Sequence, residues 1–167
     1  MNDELTEVDI QKMKDEIEYR SNVLRPKLIE DVKTARAFGD LSENFEYKAA
    51  KQEKNRNDSR IRYLERMVKT ARVISPESAE DVVGLFDTVT LFFEEDNEEQ
   101  TIRLVTTLRQ NALKGLISKE SPLGSSIMGH AKGDRVNVKV NDSYNYYVVI
   151  RAIEKGEDDD TLDISAY

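Results

Sequence analysis

Two carboxylates stand three residues apart, Asp40 and Glu43, inside the turn-forming run Gly39-Asp40-Leu41-Ser42-Glu43-Asn44. Oxygen donors of this kind suit Mg²⁺, which keeps several waters and takes one or two carboxylates, with phosphates or other groups completing its octahedron. Two carboxylates by themselves do not build a tight site. They can complete one in a partner, where a second metal activates water for attack on a phosphodiester. The same spacing is also a capping-box variant, in which Asp40 accepts from an early helix amide and Glu43 reaches back to the Asp40 amide. Local residues leave both readings open.

Behind this pair runs a basic stretch: Lys48, Lys51, Lys54, Arg56, Arg60, Arg62 and Arg66. The formal charge of −8 hides its concentration. Residues 48–72 carry 9 Lys/Arg against 3 Asp/Glu, whereas residues 1–47 carry 7 against 12 and residues 73–167 carry 9 against 18. One basic segment in an otherwise acidic chain suits local contact with a polyanion, held by charge without reading sequence. A solvated helix face is the plainer reading. Other chemistries are excluded more firmly. Cysteine is absent, which removes disulfides, thiolate metal sites and a cysteine nucleophile, and the single histidine, His130, rules out a site built on several imidazoles. His130 reads as a surface residue after a helix. Tyr144, Tyr146 and Tyr147 read as hairpin packing before a base-stacking platform, because alternate strand positions face a core.

The elements that must position these residues follow from periodicity. Ile10, Met13, Ile17, Leu24, Leu28, Val32 and Ala35 recur at steps of 3, 4 and 7, the stripe of one long helix over 7–38. Pro26 interrupts it without breaking phase, which predicts one helix kinked at the proline. A second helix is expected over 43–72, with Ile61, Leu64, Met67, Val68 and Ala71 on its stripe. Joined by a short turn, the two must fold back antiparallel, forming a rod of about 40 Å with a thin seam toward its tip. The run Ile74-Ser75-Pro76-Glu77-Ser78 reads as a linker, assigned to 75–80. Beyond it the period falls to two: a hairpin of 88–93 and 101–105 around an acidic turn, then strands over 136–140 and 146–153. Between them Ser121-Pro122 marks a helix start that ends at Gly129. The fold class is therefore α+β: a helical hairpin over 1–74 and a small domain over 81–167. No apolar run approaches the roughly 20 residues that span a bilayer. The first residues lack the basic-then-apolar layout of a signal peptide. A cytoplasmic protein without a membrane partner is expected.

The stretch Ala35–Lys51 (ARAFGDLSENFEYKAAK), with Leu24-Arg25-Pro26 upstream and Ile117–Asp134 (ISKESPLGSSIMGHAKGD) downstream, resembles the bacterial Gre transcript-cleavage factors. The resemblance covers nearly the whole chain. It implies an N-terminal coiled-coil hairpin and a C-terminal FKBP-like domain, with no isomerase activity, since fold is not function. It implies a monomeric accessory factor, not itself an enzyme, that binds RNA polymerase, passes the hairpin through the secondary channel and stimulates hydrolysis of backtracked RNA at the nascent 3′ end. Carried over by position, Asp40 and Glu43 are the tip acids that share the second Mg²⁺ with polymerase and orient the attacking water. The protein has no cofactor of its own. Leu41, Ser42 and Asn44 shape the tip, and Glu120, Ser121 and Pro122 fall where the C-terminal domain docks on polymerase. Lys48, Lys51, Lys54, Arg56 and Arg60 are the expected RNA contacts. Phe38 and Phe45 depart from the family pattern, which has polar or small residues there, and Leu24 stands where a second Arg is common.

Two other functions compete with this one. A channel-occupying regulator would bind polymerase without promoting cleavage; the plain Asp-x-x-Glu pattern favours the catalyst. A coiled-coil adaptor would use Asp40 and Glu43 only as caps.

Overall fold

The computed structural model describes residues 3–39 and 44–165. The chain divides into two compact units, one of Ile10–Ala71 and the other of the segment through Asp9 together with the chain from Arg72 onward. The sequence reading drew the hairpin unit as 1–74. Compact packing groups the first residues with the later chain because β1 (Glu4–Leu5) pairs in parallel with β2 (Arg72–Val73), the strand that leaves the hairpin.

The hairpin rises through α1 (Glu7–Tyr19) and α2 (Arg25–Arg36) and returns through α3 (Phe45–Thr70). A kink was expected at Pro26, but the structure absorbs the proline in a π turn over Arg20–Leu24, closed by the Arg25 N–H donating to the Arg20 carbonyl. Proline has no N–H to offer and crowds the carbonyl four residues back; widening the preceding turn removes the conflict and keeps the helix running. The apolar stripe stays in phase across it. Met13 is buried, and Leu24, Leu28 and Val32 are half-buried, ending at the buried Ala35.

Antiparallel pairing is fixed by polar contacts. Glu16 meets Arg60, Arg20 meets Asn57, Arg25 meets Asp58, and Ala35 meets Asn44. Midway, the seam is polar. Glu16 accepts from Arg20 Nε at 2.8 Å and Arg60 Nε at 2.7 Å, Arg20 donates to Asn57 Oδ1 at 2.9 Å, and Asn57 Nδ2 donates to the Arg20 carbonyl at 3.1 Å. A slip of either arm would leave these buried groups unpaired, so the network sets register where Leu-type packing is absent. Toward the base Ile61 and Leu64 are buried, and toward the tip Ala35 is the one buried apolar residue of α2. The thin distal seam read from sequence is present.

The second unit carries a five-stranded sheet. Strands β3 (Thr88–Phe93) and β4 (Glu98–Val105) form the expected hairpin, with Thr88 opposite Arg103 and Phe93 opposite Glu98. Its tight turn holds Asn97 at φ +54°, a left-handed conformation Asn tolerates. β5 (Leu116–Ser118) runs parallel to β4 at one edge; β6 (Arg135–Asn141) and β7 (Tyr144–Glu154) complete the order β5-β4-β3-β7-β6. Inward residues Val89, Leu91, Ile102, Leu104, Val136, Val138, Val148 and Ile150 form the core, joined by Ile127 of α4 (Pro122–Ile127). Sheet and helix make the α+β domain expected. Gly124 lets α4 sit flush against the end of β5, because a Cβ there would lie 2.1 Å from the Ser118 carbonyl oxygen.

Two polar clusters staple this unit. Lys155 Nζ donates to Ser78 Oγ, the Ala79 and Val82 carbonyls and Asp87 Oδ2 at 2.5–3.0 Å, holding the irregular segment before β3. Thr6 and Asp9 form a capping box at the start of α1, and Asp9 Oδ1 accepts from Arg109 Nε at 2.5 Å. Arg109 also lies 2.6 Å from Asp158, as an ion pair more than an aligned hydrogen bond, and its guanidinium sits 5.0 Å from the Phe86 ring centroid. Arg109 and Asp9 are fully buried. Among the described residues no helix is long and apolar enough to cross a membrane.

Candidate functional site

The far end of the hairpin is the first candidate. Asp40, Leu41, Ser42 and Glu43 lie outside the described residues; the rim around them does not. α2 ends at Arg36, and Gly39 takes φ +130°, a conformation that side-chain-bearing residues avoid. On the returning side the helix cap is Asn44. Its Oδ1 accepts from the Tyr47 N–H at 3.0 Å, and its Nδ2 reaches across to the Ala35 carbonyl at 2.7 Å. One side chain thus starts α3 and clasps it to the end of α2. α3 begins at Phe45, so the Ncap position is that of Asn44, and the capping-box reading of Asp40 and Glu43 falls on residues outside those described. The sequence reading placed Asn44 among the residues that shape the tip and did not single it out as the cap. Phe38 and Phe45 flank this end, 71% and 81% exposed.

Behind the rim, α3 presents its basic residues unequally. Lys48, Lys51 and Arg56 are exposed. With Gln52, Asn55 and Ser59 they line a shallow, open groove of about 350 Å³ that no carboxylate lines. Lys48 Nζ lies 5.6 Å from the Phe45 ring centroid and Lys51 Nζ 6.0 Å from that of Tyr47. Lys54 is half-buried and paired at 2.9 Å with Asp58, which Arg25 also contacts. Burial alone would raise the Asp58 carboxyl, but the donors from Lys54 and Arg25 outweigh it and hold it below the ordinary carboxylate range. Arg60 is a correction. Expected among the RNA contacts, it is 3% exposed and bound to Glu16, so its charge serves the seam. Burial likewise opposes ionisation of Glu16, and hydrogen bonds from Arg60 and Arg20 overcome it, depressing the carboxyl below 4.5. Spacing puts Arg60 four residues before Leu64, on the inner stripe, but its commitment to the seam depends on Glu16, a partner far away in sequence.

The second candidate lies at the start of α4. Ser121 Oγ accepts from the Gly124 N–H at 3.0 Å and donates to the Ser118 carbonyl at 2.7 Å, so this hydroxyl is the cap that fixes the turn. Glu120 and Pro122, on either side, are exposed. The turn therefore holds one acidic and one apolar side chain outward on a rigid corner. His130 is partly exposed and 3.1 Å from Asp134. The tyrosines behave as hairpin packing: Tyr146 stacks on Phe93 at 6.0 Å between centroids, and Arg135 covers the Tyr147 ring at 3.7 Å. Among the described residues no group of three or more His, Asp or Glu is placed to hold a metal ion.

Comparison with known proteins covers most of the chain. The family model described as transcription elongation factor, N-terminal, matches residues 4–73, and that described as transcription elongation factor, GreA/GreB, C-term, matches residues 75–155. Similar relatives include transcription elongation factor GreA of Bacillus licheniformis, 38% identical over 136 residues that cover 81% of this chain and 86% of the relative. That of Staphylococcus carnosus is 35% identical over 150 residues, 90% of this chain and 94% of the relative. Among solved structures, GreA factor homolog 1 of Thermus thermophilus is 24% identical, with 93% of this chain and 100% of that one covered at a TM-score of 0.43.

Proposed function

The chain belongs to the GreA/GreB family of transcription elongation factors, and on that premise we propose that it binds bacterial RNA polymerase through the secondary channel and stimulates cleavage of backtracked nascent RNA. The observation that carries the reading is the position of Asp40 and Glu43 in the chain. They fall between the two arms of an antiparallel hairpin whose returning helix alone has 26 residues, or about 39 Å. Acids at the end of such an arm suit action inside another macromolecule.

The donor set fits Mg²⁺: two hard carboxylate oxygens, leaving further positions to polymerase, RNA phosphate and water. Asp40 and Glu43 would hold the ion jointly with polymerase, and when bound it supplies positive charge that favours attack of water on a phosphodiester. The remaining work belongs to this chain's residues. Asn44 keeps the arms closed at the rim. Lys48, Lys51 and Arg56 offer charge to an RNA backbone, with Lys54 partly committed to Asp58. Glu120 and Pro122, held outward by the Ser121 cap, form the docking corner for polymerase. The protein is then an accessory factor to the hydrolysis that polymerase performs.

Asp40→Asn with Glu43→Gln tests this directly. Because Asn44 is the cap, the substitutions leave helix α3 its own start. Stimulated cleavage in a stalled elongation complex should collapse while polymerase binding and helicity persist. Undiminished cleavage in the double variant refutes the catalytic role. Binding without stimulated cleavage in the unaltered protein would instead identify a channel-occupying regulator.

A further inference from the structure

The aromatic ring at the start of α3 has no folding role that its surroundings explain. Phe45 is 81% exposed and directly follows Asn44, whose side chain caps α3 and bonds to the Ala35 carbonyl. Helical spacing of three, four and four residues puts it on the same stripe as Lys48, Gln52 and Arg56, three of the residues that line the carboxylate-free groove. Lys48 reaches over the ring, and among the described residues neither Lys48 nor Lys51 is paired with a carboxylate. Glu46 and Glu53 stand about a quarter-turn off this stripe, where Glu53 approaches Arg56 only at 3.8 Å.

An exposed ring at the head of a cationic track is the arrangement that proteins use for single-stranded nucleic acid: charge follows the backbone while a base stacks on the aromatic face. We propose that Phe45 is a stacking platform for an unpaired base of RNA whose phosphates lie along Lys48, Lys51 and Arg56. The proposal rests on the reading that this face of α3 contacts extruded RNA, and it adds the base-recognising element. Such stacking tolerates any base, since every base has a π-face. RNA is favoured over an apolar protein pocket because the Lys48 ammonium lies over the ring, and an apolar pocket would have to desolvate that charge.

The test uses the full chain with a backtracked elongation complex carrying a photoreactive nucleotide at the RNA 3′ end, and in parallel polymerase without extruded RNA. Phe45→Leu keeps an apolar side chain but loses the π-face; Phe45→Trp enlarges it. Affinity for the backtracked complex should fall for the Leu variant by about 5- to 150-fold, the range for one base–aromatic stack. Crosslinking should fall with it, the Trp variant should hold or gain, and affinity for polymerase alone should not move. Unchanged affinity and crosslinking for Phe45→Leu overturns the proposal. Equal losses with and without extruded RNA also overturn it and assign the ring to the polymerase surface. Lys48→Ala with Lys51→Ala separates the two levels. If the lysines weaken crosslinking and Phe45→Leu does not, only the platform falls; if neither does, the RNA reading of α3 falls as well.

Discussion

Replacing Arg109 by Ala removes the cation paired with both Asp9, which is fully buried, and Asp158, which is nearly so. The side chain supplies a 2.5 Å contact to Asp9, a 2.6 Å contact to Asp158, a hydrogen bond to the Asp159 carbonyl at 3.2 Å and a face to the Phe86 ring. Breaking a buried pair by deleting one partner costs about 3–5 kcal/mol, mainly because the other charge stays behind in a dry site. Two carboxylates are abandoned here, so the upper part of that range applies. For a domain of this size each kcal/mol moves the melting temperature by about 4–8 °C. Calorimetry should therefore show the transition of the sheet-bearing unit falling by more than about 12 °C. The companion variant, Arg109→Met with Asp9→Asn and Asp158→Asn, removes the uncompensated charge while filling most of the volume, and it should recover a large share of the loss. If Arg109→Ala costs less than about 1 kcal/mol, or the triple variant is no better than the single one, the loss is not one of stranded charge and the argument fails.

Two further outcomes follow from the hairpin. Asn44→Ala deletes both the cap and the bond to the Ala35 carbonyl, and should lower hairpin stability by about 1–2 kcal/mol, read as helix melting; Asn44→Asp keeps the cap and should lose only part of this. Glu16 has a folded carboxyl value depressed below 4.5, so its contribution is complete above that pH and is lost as pH falls through the folded value. Acid melting followed by circular dichroism should show the wild type losing stability below pH 4.5 more steeply than Glu16→Gln. Parallel curves would mean that Glu16 is not the titrating group.

Much of this architecture was legible because it rests on local rules. Ser121-Pro122 announced α4 through an Ncap and a first-turn proline, and alternation over 88–93 and 136–140 announced β3 and β6. The hairpin stripe was equally plain, since apolar residues at helical steps have few other uses. What escaped notice depended on partners far away in sequence. β5 is three residues long and too short to show a period. The β1–β2 pair joins Glu4 to Arg72, and nothing near either predicts it. The acidic tail reads as loop in isolation, yet Asp158 and the Asp159 carbonyl meet Arg109 and Ser165 bonds to the Leu108 carbonyl. At the candidate site the residue types were legible and their accessibility was not. Arg60 and Arg56 differ by one helical turn, but the first answers Glu16 across the seam and the second faces outward.

The Arg109 cluster also bears on how the chain is made. Asp9 leaves the ribosome a hundred residues before Arg109, and Asp158 follows much later still. During that interval the Thr6–Asp9 capping box can form, because its partners are neighbours. The carboxylate cannot be buried until its cation arrives, and the cation cannot be fully neutralised until the tail does. Helical arms built on local contacts form quickly, while a centre joining the two extremes of the chain waits on loop closure. The hairpin thus rests on contacts within residues 10–71, whereas the buried centre needs Asp9, Arg109 and Asp158 brought together.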